Sequence, residues 1–242
     1  MLLTPRAEVL AVSTREVLTL IRAKITTPLE FDPLNAERTF AIMTSDFAYD
    51  ILLCKAIARA ERLAPNVRFD VLPTDSSARL QLERGEIDLL VTISRLMDED
   101  NPRIPLFQDE HALICWSDGA HKDGISFDTF VSAGHAIVYF GKNKFPAFTE
   151  TFFSERGMTR RIEVKVPTFA ALAPAVVGTN RIATLYRRHA EHFARSFPIT
   201  VHPMPLEIEQ ISEDAQWHSM RDKDAGIQWL LSLLQDEVRL SL

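Results

Sequence analysis

The chain has little of what marks a secreted, membrane-spanning or nucleic-acid-gripping protein. Only two of its 242 residues are cysteine, Cys54 and Cys115, far apart and in apolar contexts. A disulfide-stapled secreted domain needs more, so both read as buried thiols. No run approaches the ~18 apolar residues of a membrane helix. The opening M-L-L-T-P-R-A-E lacks the basic-then-apolar pattern of a signal peptide, so the cytoplasm is the expected compartment. Glycine is sparse at 8 and the 13 prolines are scattered, which excludes collagen-like or long disordered stretches. Positive charge is not in excess: the net charge is −6. The densest basic cluster, Arg187 and Arg188 with Arg181 and Arg195, is offset by Glu191, so these residues alone are not expected to hold DNA. G-x-S-x-G, the P-loop and G-x-G-x-x-G are all missing. No catalytic residue or cofactor is expected.

What is present is an alternation of short apolar strands and helices. The most informative stretch is Arg161 to Tyr186. Ile162, Val164 and Val166 alternate with Glu163 and Lys165, a half-buried strand. Pro167 ends it, Thr168 can cap a short apolar helix from Phe169 to Val177, and Gly178-Thr179-Asn180 leads into a strand from Ile182 to Tyr186. So short and apolar a helix must be buried. Its N-terminal N–H groups make it either a ligand floor or an ordinary crossover. Upstream, strands over 39–44, 67–72 and 87–93 alternate with helices over 47–63 and 75–84. The run I-D-L-L-V-T-I is apolar enough for a sheet covered on both faces. After a strand at 111–116 the pattern restarts with strands at 136–140 and 162–166 and helices at 127–132 and 146–156. Strands near 200–207 and 213–220 and a helix from Asp224 to about Arg239 complete the chain. A helix over 5–26 precedes it all, followed by a proline-bearing linker to Glu37.

This order predicts an α/β fold of two Rossmann-like lobes, with crossing segments near 117–124 and 200–205. The expected division is a linker helix and linker over 1–37, a first lobe over 38–118 and 204–242, and a second over 119–203. Ligands in such sheets sit beyond the carboxyl ends of the strands. That rule gathers Ser45-Asp46, Thr92-Ile93-Ser94, Phe140-Gly141-Lys142 and Pro167-Thr168 around one inter-lobe cleft, with Phe169 beside Thr168. Ser45 and Asp46 are equally good helix caps, Thr92 and Phe140 could serve only the core, and Gly141 would allow close backbone approach. The inferred lining, aromatic and aliphatic with a few hydroxyls, suits a small and mostly apolar effector.

Four segments resemble the effector-binding part of LysR-type transcriptional regulators, which have the type 2 periplasmic-binding-protein-like fold. They are L-L-T-P-R-A-E-V-L, F-D-P-L-N-A-E-R-T-F with Ser45-Asp46, G-H-A-I-V-Y-F-G with R-R-I-E-V-K-V-P-T-F and G-T-N-R-I-A-T-L, and Q-W-H-S-M-R-D-K-D-A-G-I-Q-W-L. Within the family the chain is most similar to the subgroup of flavonoid-responsive nodulation regulators and regulators of aromatic degradation. The resemblance implies an aromatic-type effector in the cleft and a homodimer or homotetramer. It places DNA binding in an N-terminal winged helix-turn-helix that these residues do not include. It also adds Lys144, Gln216 and Trp217 as cleft residues, although a tryptophan there is also a natural core residue. Two other readings compete. A solute-binding protein for transport would share the fold. His189-x-x-His192, with Glu191 and His202, has i,i+3 spacing that could place two imidazoles on one helix face for a metal, but no third ligand stands at a recognised spacing.

Overall fold

The computed structural model describes Thr4, Arg6, Leu10, Thr14, Val17, residues 30–141 and residues 143–241. The expected helix over 5–26 lies mostly outside the described residues. No helix among them is long and apolar enough to cross a membrane.

The first sheet is built from β1 (Thr39–Thr44), β2 (Arg68–Pro73), β3 (Leu89–Ile93), β4 (Arg103–Asp109) and β11 (Ile211–Gln216), in the order β2-β1-β3-β11-β4. β1 runs parallel to β2 and β3, whereas β11 runs antiparallel to β3 and β4. The parallel pairs require helical crossovers. These are α1 (46–63) and α2 (Ala78–Glu83). Ser45 caps α1 by accepting the Ala48 N–H at 3.3 Å. α1 contains a π-helical turn at Tyr49–Leu53. The turn loop before α2 is closed by Asp75, which accepts from the Ser77 N–H and hydroxyl. β4 carries Pro105, which an edge strand tolerates.

The second sheet contains β5 (His111–Trp116), β6 (Gly134–Phe140), β7 (Phe145–Pro146), β8 (Arg161–Val166), β9 (Ile182–Tyr186) and β10 (Ile199–Pro203). Its order is β10-β5-β9-β6-β7, with β8 also on β6. Its helices are α3 (Phe127–Ser132), α4 (Phe148–Glu155), α5 (Leu172–Val176) and α6 (Arg187–Ala194). The closing helix α7 (Ala225–Ser241) returns to the first lobe, packing on α1 and β4.

Two boundaries differ from the sequence expectation. β5 pairs with β9 and β10, so it belongs to the second sheet and the chain crosses at Glu110 rather than at 117–124. The return crossing occupies 204–210, after β10 has ended at Pro203. The helix read over 169–177 is only the five residues of α5.

The main apolar cluster among the described residues runs through both lobes, with a smaller satellite in each. Phe47, at the start of α1, joins the two lobes. Its ring lies 4.4 Å from Tyr186, 6.4 Å from Phe169 and 5.8 Å from Phe107. Two polar contacts flank it. Asp46 Oδ2 accepts the Ala170 N–H at 2.7 Å. Asp50, in the π-helical turn, meets buried His189 Nε2 at 3.0 Å. π-turns often occur where a helix must aim a side chain out of register, and here that side chain reaches the other lobe.

Candidate functional site

The carboxyl ends of the parallel strands face the other lobe and enclose a cavity of about 30 Å³. From the first lobe, Ser45, Thr74, Thr92, Ile93 and Leu96 line it; from the second, Phe140, Phe145, Phe148, Phe169 and Tyr186. Glu213 of β11 forms a further wall. The void is far smaller than a ligand pocket of several hundred Å³. An occupant of ligand size would require the lobes to separate or the phenylalanines to turn.

Five of the residues picked from sequence line this cavity: Ser45, Thr92, Ile93, Phe140 and Phe169. Phe140 and Phe169 pack edge-to-face at 5.6 Å. Lys142 lies outside the described residues. The others stand elsewhere. Asp46 is engaged with the Ala170 N–H, so the turn before α5 spends a free donor on lobe contact. Ser94 begins a 3-10 turn, and its carbonyl accepts from Arg103 Nη1 at 2.9 Å. Gly141 has φ +64, and a Cβ there would meet the Asp75 Cβ at 2.9 Å, so it admits the opposite lobe's loop. Lys144 and Pro167 are exposed. Thr168 is half-buried outside the cavity lining. Gln216 is buried, accepting the Asp98 N–H at 3.1 Å and donating to the Asp98 carbonyl at 2.6 Å. Trp217 is core, its indole N–H donating to Asp222 at 3.3 Å.

Glu213 was not among the residues picked from sequence. It is 1% exposed, and neither carboxyl oxygen meets a hydrogen-bond partner among the described residues. Burial, reinforced by Asp214 and Asp109, pushes its carboxyl up to about 8, so it is largely uncharged at neutral pH. A bulge in the β11–β4 register falls between Glu213 and Asp214, the kind of irregularity that re-aims a side chain. Tyr186 is likewise buried and its phenol raised by burial, which keeps it neutral. His111 packs 5.2 Å from Tyr186 and 6.1 Å from Phe148, and burial lowers its imidazole to about 4. The cavity therefore joins an apolar aromatic wall to a neutral polar floor, and among the described residues no lysine or arginine lines it.

His189 is committed to Asp50. Among the described residues no group of three or more His, Cys, Asp or Glu side chains is placed to hold a metal. Both cysteines are free thiols, raised by burial.

Residues 35–239 match the family described as "LysR substrate binding domain". Nodulation protein D 1 of Mesorhizobium japonicum is 35% identical over 238 residues, covering 97% of this chain and 75% of that protein. Nodulation protein D 1 of Rhizobium tropici is 35% identical over 246 residues, covering 100% and 79%. Among solved structures, a probable transcriptional regulator from Pseudomonas aeruginosa superposes with a TM-score of 0.80 at 21% identity, covering 96% of this chain and 78% of that one. The regulatory domain of MexT, a transcriptional activator in the same organism, gives 0.72 at 21% identity, covering 84% and 98%. These structures share the fold, which in LysR regulatory domains is the type 2 periplasmic-binding-protein-like one. The relatives are transcriptional regulators, not enzymes. This chain belongs to the LysR-type transcriptional regulators and carries their effector-binding domain.

Proposed function

We propose that the domain senses a small aromatic effector in the inter-lobe cavity, in the cytoplasm, as part of a homodimer or homotetramer, and passes the signal to a DNA-binding region elsewhere in the regulator. The observation that carries this reading is the cavity lining: four phenylalanines and a tyrosine face two threonines, a serine and a neutral acid. Flat apolar walls with a few hydrogen-bonding groups favour an aromatic ring with polar substituents.

The mechanism is a shift between two lobe arrangements. Opening the cavity must strain or break the contacts flanking Phe47, namely Asp46 with Ala170 and Asp50 with His189. An effector that fits only the opened arrangement shifts the balance by its differential affinity. Lobes of neighbouring subunits packed side by side would convert the new angle into new spacing of the DNA-reading parts.

A thermal-shift screen of phenols, aromatic alcohols and aromatic acids tests the site. An effector that binds only the folded state raises the unfolding temperature, and the rise grows with the logarithm of its concentration above the dissociation constant. Ser45→Ala with Thr92→Val should weaken binding about thirtyfold, since each removes a hydrogen-bonding group worth roughly 1 kcal/mol. Unchanged affinity in that double variant would remove the cavity from the account. Small-angle scattering tests the mechanism: an identical profile with and without saturating effector, in a regulator that still switches, contradicts it.

A further inference from the structure

Glu213 is a buried carboxyl that the described residues leave without a partner. Among them it does not cap a helix, pair with a cation or bridge strands. Its neighbours on β11 and β4 are already engaged. Asp214 accepts from the Ser212 hydroxyl at 2.6 Å and lies 3.9 Å from Arg103. Asp109 accepts the N–H groups of Glu110 and Arg188. Opposite Glu213 on β3 stands Ile93, and opposite it on β4 stands Phe107. From β9 it faces the neutral phenol of Tyr186. Burying a polar group with no partner destabilises a fold, so a residue in this position calls for an explanation outside the fold.

We infer that Glu213 is the specificity-determining group of the cavity, and that it selects an uncharged effector bearing a hydroxyl over one bearing a carboxylate or an ammonium group. This rests on the reading of the cavity as the effector site. A protonated carboxyl offers one donor and one acceptor side by side, the complement of a hydroxyl, which also donates and accepts. A carboxylate ligand would enter a site whose described lining holds no lysine or arginine and has Asp109 and Asp214 close behind Glu213. Its charge would be desolvated without a counter-charge, an arrangement that strongly disfavours binding. An ammonium ligand would have to draw the proton off Glu213 to gain a partner.

Benzyl alcohol, benzoate and benzylamine share a ring and differ in the charge of one substituent. Titrations of the folded chain with these three compounds test the inference. At pH 7 benzyl alcohol is expected to bind at least about tenfold more tightly than either charged analogue. Its binding should weaken about tenfold between pH 7 and pH 9 as the competent protonation state is depleted. Glu213→Gln keeps a neutral donor and acceptor, so it should bind the alcohol with no such pH dependence. Glu213→Leu removes both and should bind the alcohol about tenfold more weakly at every pH. Benzoate or benzylamine binding as tightly as the alcohol, or a pH profile that survives in Glu213→Gln, overturns the role of Glu213 and leaves the aromatic reading standing. Failure of all three compounds to bind wild type, Glu213→Gln and Glu213→Leu overturns both together.

Discussion

Two buried carboxyls in the first lobe meet opposite fates. Asp224, 2% exposed, stands where the chain enters α7. Arg38 grips it with two hydrogen bonds of 2.6 and 2.9 Å, Arg221 adds another at 3.0 Å, and it accepts the Gly226 and Ile227 N–H groups. Arg221 in turn reaches Asp88, which accepts the Ala41 N–H. Burial alone would raise the Asp224 carboxyl, but its bonds to Arg38 and the charges of Arg38 and Arg221 outweigh that and hold it low. Glu213 is as deeply buried and has none of these partners. The difference separates scaffold from site. A carboxyl saturated from within locks the first strand to the last helix, while one left unsaturated beside a cavity is available to something outside the chain.

The comparison breaks most visibly at Asp224. Asp224→Ala strands two arginines and uncaps α7. It should reduce unfolding free energy by about 3–5 kcal/mol in urea denaturation, the range for removing one partner of a buried ion pair. The stability Asp224 supplies is present above its unfolded value and lost as pH falls through its lower folded one.

Glu213 should do the reverse. Its folded value of about 8 lies above the ordinary carboxyl value of 4.5. Its contribution is therefore intact in acid and lost as pH rises through that interval. Between about pH 5 and pH 8, wild type should lose on the order of 3 kcal/mol relative to Glu213→Gln, read from paired denaturation curves. The paired design is needed because His111 and His135, both lowered by burial to about 4, weaken the fold in acid. Their stability is present above about 6.5 and falls away toward pH 4 in both proteins.

Smaller effects sharpen the boundary between lobe contact and cavity. Asp46→Ala removes the acceptor of the Ala170 N–H and should lower stability by about 1 kcal/mol while tightening the binding of an effector that needs the lobes apart. Thr168→Val, outside the lining, should change effector affinity by less than about twofold, within the ±0.5 kcal/mol usual for surface changes. A larger change would redraw the site.

The alternation of strands and helices was legible in the sequence, and so was the position of Ser45, Thr92, Phe140 and Phe169, because each ends or follows a parallel strand. Gln216, which the family resemblance added, lies away from the cavity lining. β11 runs antiparallel, so its cavity end is its beginning: Glu213 pairs with Ile93, at the open end of β3, while Gln216 pairs with Leu90. Orientation of a late strand is set by long-range pairing that local pattern does not encode. Glu213 did leave a signal. Two adjacent acids in the strand I-S-E-D-A-Q of a sheet covered on both faces cannot both reach water. Asp46 was recognised as a cap position, but its partner Ala170 lies 124 residues away. β4 was missed because Pro105 interrupts the strand pattern, and the first crossing was misplaced because β5 reads equally well in either sheet.

Glu213 acts, on this reading, as a neutral recognition group in the effector cavity. The most direct test is the carbon resonance of its side-chain carboxyl, assigned by comparison with Glu213→Gln and followed from about pH 4 to pH 10, with and without saturating benzyl alcohol. A carboxyl that stays protonated through neutral pH, titrates near 8 and shifts when the alcohol is added is the predicted result. A resonance that titrates with the ordinary surface carboxylates, or that ignores the alcohol while the alcohol binds, would contradict the account.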